Sequence, residues 1–235
     1  MKSLLTLLFT LTFVLSPLAT EPFTGFRADQ LPIPQIRPPV QPAGYAFAIW
    51  GLIYAWLVVS AVFGVIARRT DAIWDRARGP LIISLAVGTP WLAIANESAV
   101  WATFTIFIMA AAAIAALLRA PAHDRWWLRA PVSIYAGWLT AASFVALGST
   151  AAGYGLIMDQ VVWAYAGILG ALAVAVPVTL KTASPGYPLT VIWALVGIVV
   201  ANSTALLPVS AVAAAGIVIL SALMLRRTAT ARGSS

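Results

Sequence analysis

Three aromatic residues, Phe47, Trp50 and Tyr54, recur at i, i+3 and i+7, which places them on one face of a helix. A second stretch repeats the device: Tyr135, Trp138 and Ala142 share a face, with Gly137 and Ala141 beside it. Two such faces turned toward each other would line a flat, apolar cavity where rings stack, with Trp N–H and Tyr O–H groups as polar anchors. Interior packing, or an aromatic belt at a membrane surface, would use the same spacing. Ala48, Gly51 and Ala55 lie beside the first stripe and would let a neighbouring backbone approach closely. Trp126 and Trp127, set between Arg125 and Arg129, have the composition of an interfacial belt.

Polar chemistry is sparse. Asn96 and Glu97 are an amide and a carboxylate inside an apolar stretch, Pro80 to Leu118, that must fold as two helices. They mark either an outer turn or a polar contact to a ligand. Asn202 suits an interhelical hydrogen bond. There is no Cys, which excludes a disulfide framework, a thiolate nucleophile and Cys-ligated metal. The single His, His123, sits in a polar connector, so neither a multi-His metal site nor a Ser-His-Asp triad can form within the apolar blocks. A retinal Schiff base needs a lysine inside a late helix, and Lys181 stands at a helix end beside Ser184-Pro185-Gly186. With no acid–base or nucleophile constellation, the sequence reads as a non-enzyme with no covalent or metal-bound cofactor.

The elements that must position these residues are membrane helices. A chain that is 62% hydrophobic and only 9% charged has too little charge to cover a soluble surface. Its apolar blocks have roughly the 17–25 residues needed to cross a hydrocarbon core. Eight spans are expected: Leu4–Ala19, Ala43–Ala67, Pro80–Ala95, Ala99–Leu118, Pro131–Ala152, Gln160–Leu180, Pro188–Leu207 and Val209–Leu225.

The net charge of +7 is a matter of topology rather than of nucleic acid. Arg68, Arg69, Arg76 and Arg78 follow span 2, and Arg119, Arg125 and Arg129 follow span 4. Lys181 follows span 6, and Arg226, Arg227 and Arg232 follow span 8. Only Arg27 and Arg37 lie on the other side, so twelve of fourteen Lys and Arg, counting Lys2, share one face. The positive-inside rule makes that face cytoplasmic and places both termini there. A bacterial inner membrane is the expected location.

Span 1 reads as a retained helix or as a secretory signal. Pro17, at the −3 position for cleavage after Ala19, argues for retention, and cleavage would leave seven spans. The 21–42 segment holds six prolines, which keep it extended, as a tether or as a lid over the outer end of the bundle. No internal repeat of the kind common in transporters is present.

The run Pro42-Ala43-Gly44-Tyr45-Ala46-Phe47-Ala48-Ile49-Trp50-Gly51-Leu52-Ile53-Tyr54 resembles the TspO/MBR family of tryptophan-rich sensory and translocator proteins, with Pro42, Tyr45, Phe47, Trp50 and Tyr54 in register. Tyr135-Ala136-Gly137-Trp138 followed by Ala142 is a weaker match. Val145-Ala146 replaces the family's Leu-Asn, and Gly88 stands where an Asn is expected, although Trp91 aligns with a family tryptophan.

The resemblance covers residues 1–152 and implies an all-α, five-helix TspO-like membrane domain, with 153–235 as a three-helix C-terminal extension. It further implies a receptor- or sensor-like protein that binds a flat hydrophobic ligand, a porphyrin or a sterol-like molecule, between spans 2 and 5. Phe47, Trp50, Tyr54, Trp91, Tyr135 and Trp138 would be the walls, with Asn96 and Glu97 as polar contacts. The alternative is a transporter of small apolar or amphipathic solutes. The expected partners are the lipid bilayer, the hydrophobic ligand and, in a homodimer, a second copy of the chain.

Overall fold

The structure is a computed structural model and describes residues 1–233 apart from Pro22. Ala28 and residues 227–233 are described only as backbone, so Pro22 and the side chains of Arg227 and Arg232 lie outside the described residues. Nine helices carry the described chain: α1 Lys2–Leu15, α2 Ile49–Ile66, α3 Ala72–Gly88, α4 Trp91–Glu97, α5 Ala99–Arg119, α6 Ala130–Gly153, α7 Gln160–Lys181, α8 Gly186–Asn202 and α9 Leu207–Gly233. The chain is an all-α polytopic membrane protein. Six helical stretches are long and apolar enough to cross a membrane, and Lys2–Leu18 and Gly186–Asn202 are shorter apolar helices. α3 and α4 form one span, bent at Thr89-Pro90.

The connectors after spans 1, 3, 5 and 7 gather at one end. There the Gln30 amide donates to the Ala95 and Asn96 carbonyls, Ile33 N–H to Gly153 O, and the Asn202 amide to Pro39 O. At the other end Arg68 pairs with Asp124, and Trp56 Nε1 donates to Trp126 O. The basic residues after spans 2, 4 and 6 lie at this second end.

Span 3 differs from expectation at its start. The helix begins at Ala72, eight residues before Pro80, because the Asp71 carboxylate caps it by accepting from the Ile73 and Trp74 N–H groups. Arg76 and Arg78 are therefore helical rather than in the loop after span 2. Arg78 is 1% exposed. Its guanidinium pairs with Asp75, donates to the Gly64 and Arg68 carbonyls, and lies over the Trp74 ring. It thereby satisfies carbonyls at the end of α2.

Asp124 completes this end, accepting from Arg68 at 2.8 Å and from Trp74 Nε1 at 2.8 Å. Burial pushes its carboxyl up, but the bonds from Arg68 and Trp74 and the nearby charge of Arg68 and His123 outweigh this and hold it below the usual carboxylate range. Trp126 and Trp127 are half-exposed, and each also packs on α2: Trp126 stacks on Trp56, and Trp127 on Phe63 at 4.3 Å.

α6 is the hub, packed against α2, α5, α7 and α8. Its sequence is rich in Ala, Gly, Ser and Thr, and such small side chains let helices approach when lipid provides no hydrophobic drive. A Cβ on Gly137 would lie 2.5 Å from the Tyr187 carbonyl of α8. The small face of α2 behaves otherwise. Ala48, Gly51 and Ala55 are exposed, and nothing lies within 4 Å of a Cβ on Gly51. The aromatic stripe of α2, not its small residues, faces the bundle.

Candidate ligand-binding site

A cavity of about 220 Å³ lies between α1, α2, α4, α5, α6 and the first loop. Five of the six aromatic residues singled out from spacing line it: Phe47, Trp50, Tyr54, Trp91 and Trp138. Trp50 stacks on Tyr54 at 5.2 Å, while Trp138 meets Trp50 at 6.2 Å and Phe47 at 5.7 Å, both edge to face. The stripes of α2 and α6 therefore do face each other. Tyr135 is not among the lining residues. It is fully buried one turn along α6, bonded to Ser84 Oγ at 2.9 Å and edge-on to Phe13. It packs behind the wall.

Asn96 and Glu97 do not line the cavity. They end α4 at a break where Ser98 leaves the helical region and caps α5 through its hydroxyl. Asn96 donates to Glu21 O and so ties the loop to this turn, and Glu97 is exposed.

Spacing missed two contributors. Phe13 of α1 meets Trp50, Tyr54 and Tyr135 edge-on and lines the cavity. α1 is thus one wall of the site and is packed along its Ser3, Thr6, Thr10 and Phe13 face. The only sequence signal was the apolar run itself, which does not rank one Phe above its neighbours.

The second contributor is the loop, which is bonded along its length and supplies Phe23, Gly25, Phe26, Gln41 and Pro42 to the lining. Leu31 packs where Gly153 has no side chain, and Val40 packs against Gly148 and Gly167. Residues 39–46 then descend between α6, α7 and α8. Here Ala43 N–H donates to Gly197 O, Trp193 Nε1 to Ala46 O and Asn202 to Pro39 O. Non-helical backbone at this depth survives only where protein satisfies it.

Most of the lining is hydrocarbon or aromatic. Trp91 Nε1 is occupied by Ala102 O at 3.0 Å. The Trp50 and Trp138 indole N–H groups and the Tyr54 hydroxyl have no partner among the described residues. The site can hold a flat apolar body by stacking and offers it a few donors.

A family model described as TSPO-like protein matches residues 3–226. The chain belongs to the TSPO-like family. The match runs without a break through α6, α7, α8 and most of α9, beyond the residues 1–152 on which the sequence resemblance rested. No curated protein and no solved structure matches the chain. Membership of the TSPO-like family agrees with a membrane sensor or ligand-binding protein in general, and the geometry above supplies the candidate site.

Proposed function

We propose that this TSPO-like protein is a non-enzymatic receptor for a flat hydrophobic ligand, held between α2 and α6 and covered by the proline-rich loop, with the arginine-rich end and both termini in the cytoplasm. One observation carries the reading: an aromatic-walled cavity whose outer cover is a loop bonded on both sides.

Size refines it. A dry cavity of about 150 Å³ accommodates a benzene, so about 220 Å³ suits two or three fused rings. A porphyrin or sterol-like ligand would need the 19–29 part of the loop, with Phe23 and Phe26, to swing outward. Transport is the weaker reading, because the sequence has no internal repeat and none of the described lining residues carries a charge that could couple an ion.

The test is a titration in nanodiscs of polycyclic aromatics and a porphyrin, read by tryptophan emission. Trp138→Ala removes one wall and should weaken binding about 5- to 150-fold, on the order of 1–3 kcal/mol. Trp101→Ala changes a residue that is 63% exposed on the outer face of α5 and should leave binding unchanged. Equal losses at both positions would mean nonspecific partitioning and would end this reading.

A further inference from the structure

The buried hydroxyls of α6 separate one residue from the rest. Helix-borne Ser and Thr inside a membrane usually bond back to a carbonyl three or four residues earlier, or to a neighbouring helix. Ser133 donates to Ala130 O, and Ser143 to Leu139 O. Thr140 donates to Ala136 O and pairs with the Tyr187 hydroxyl, and Thr150 pairs with Thr103. Ser149 is as buried as these, at 3% exposed, yet its hydroxyl has no partner among the described residues, and the residue lines the cavity.

A second polar group lines the same cavity. Val40 packs on Gly148, and Gln41, the next residue of the loop, is with Ser149 among the lining residues. The Gln41 amide is oriented by its bond from Nε2 to Thr24 O at 2.9 Å, which leaves Oε1 as an acceptor with no donor among the described residues. Gly25 holds φ +128 against this amide, where a Cβ would lie 2.7 Å from Oε1. Only glycine fits the loop there. None of the described lining residues is Asp, Glu, Lys, Arg or His.

We infer that Ser149 Oγ and Gln41 Oε1 form a neutral polar subsite that takes the hydroxyl head of an otherwise apolar, flat ligand. Gln41 Oε1 only accepts and Ser149 Oγ both donates and accepts, so a group able to do both satisfies the pair. A carboxylate head would leave its hydration with no cation to receive it. This inference rests on the ligand-pocket reading above and adds the class of head group.

The test uses three probes of one size: 2-methylnaphthalene, 2-naphthalenemethanol and 2-naphthoate. Each is measured by equilibrium dialysis against the full chain in nanodiscs and against empty nanodiscs. After subtraction of the lipid background, the unaltered protein should prefer the alcohol over the hydrocarbon about 3- to 10-fold, the worth of one neutral hydrogen bond. The carboxylate should bind more weakly than the alcohol. Ser149→Ala should abolish the preference while leaving 2-methylnaphthalene affinity in place, which shows that the cavity survives.

Hydrocarbon binding with no preference for the alcohol in the unaltered protein would overturn the subsite and leave the pocket standing. An undiminished preference in Ser149→Ala would do the same. Failure of every probe to exceed the empty-disc background would overturn the pocket and the subsite together.

Discussion

The contact of α8 with the root of the loop can be broken by one methyl group. In Gly197→Ala the new carbon would sit 2.7 Å from Pro42 Cβ and 3.1 Å from Ala46 Cβ. Carbon atoms rest at about 3.5–4.0 Å, so α8 must withdraw from the 42–46 segment by roughly 1 Å. That withdrawal stretches the Ala43 N–H to Gly197 O bond from 3.0 Å and the Trp193 Nε1 to Ala46 O bond from 2.9 Å, taking both out of range.

Overpacking of this kind costs about 1–3 kcal/mol, and two weakened hydrogen bonds near 1 kcal/mol apiece bring the total to about 3–5 kcal/mol. For a chain of this size the thermal midpoint should fall by at least about 6 °C. Because Pro42 and Phe47 line the cavity, 2-methylnaphthalene affinity should fall as well. The partner experiment is Gly51→Ala, where the methyl enters open space and only helix propensity acts, so the midpoint should hold or rise slightly. The assay is thermal unfolding in nanodiscs followed by tryptophan emission, with dialysis binding at 25 °C. If Gly197→Ala melts within about 1 °C of the parent and binds as well, α8 does not hold the loop root and the reasoning is refuted.

Two further predictions concern the opposite end and the orientation. The Asp124 carboxyl titrates below its ordinary value, so it contributes stability that is complete above about pH 3.9 and lost as the pH falls through the depressed folded value. Asp124→Asn should lower the melting midpoint at pH 7 and flatten its acid decline, and an unchanged midpoint at pH 7 would show that the Arg68–Asp124–Trp74 cluster carries no energy. For topology, the chain has no native Cys, so single cysteines report cleanly. Ile36→Cys, at a residue 77% exposed in the loop, should react in intact cells with a membrane-impermeant thiol reagent, and Ala122→Cys should be shielded. Labelling of the second from outside would reverse the orientation. Gln35 is unsuitable because it is buried.

What could be read in the sequence, and what could not, follows from the range of each interaction. Helix number and alternation rest on local hydropathy and on the placement of twelve basic residues, and the described residues have six long apolar helical stretches and two shorter ones. The α2 and α6 stripes rest on helical periodicity, and Trp50 and Trp138 do meet. Periodicity fixes a face but not the depth of each residue along it. That is why Tyr135, on the same face as Trp138, ends behind the wall with Ser84 as its partner. The start of α3 was hidden because Asp75, Arg76 and Arg78 look like loop charges, and only the fold shows Arg78 buried against the carbonyls of Gly64 and Arg68. Ser149 could not be singled out among the small residues of α6, since what sets it apart is a missing partner.

The prolines of the loop and the polar residues of α8 have a single physical explanation. Where the chain descends as non-helical backbone, every N–H and C=O must find a partner in protein. Pro38, Pro39 and Pro42 have no N–H to satisfy, so they reduce the number of donors that must be paired at that depth. What remains is met largely from α8: Gly197 O receives Ala43 N–H, Trp193 donates to Ala46 O, and Asn202 donates to Pro39 O. Gly197 is small enough to let Pro42 and Ala46 come close enough for these bonds to form. α8 also places Ala194 in the cavity lining. A TSPO-like pocket whose cover is rooted this way depends on α8 as directly as on the aromatic stripes, because the loop residues that close the cavity are held in place by it.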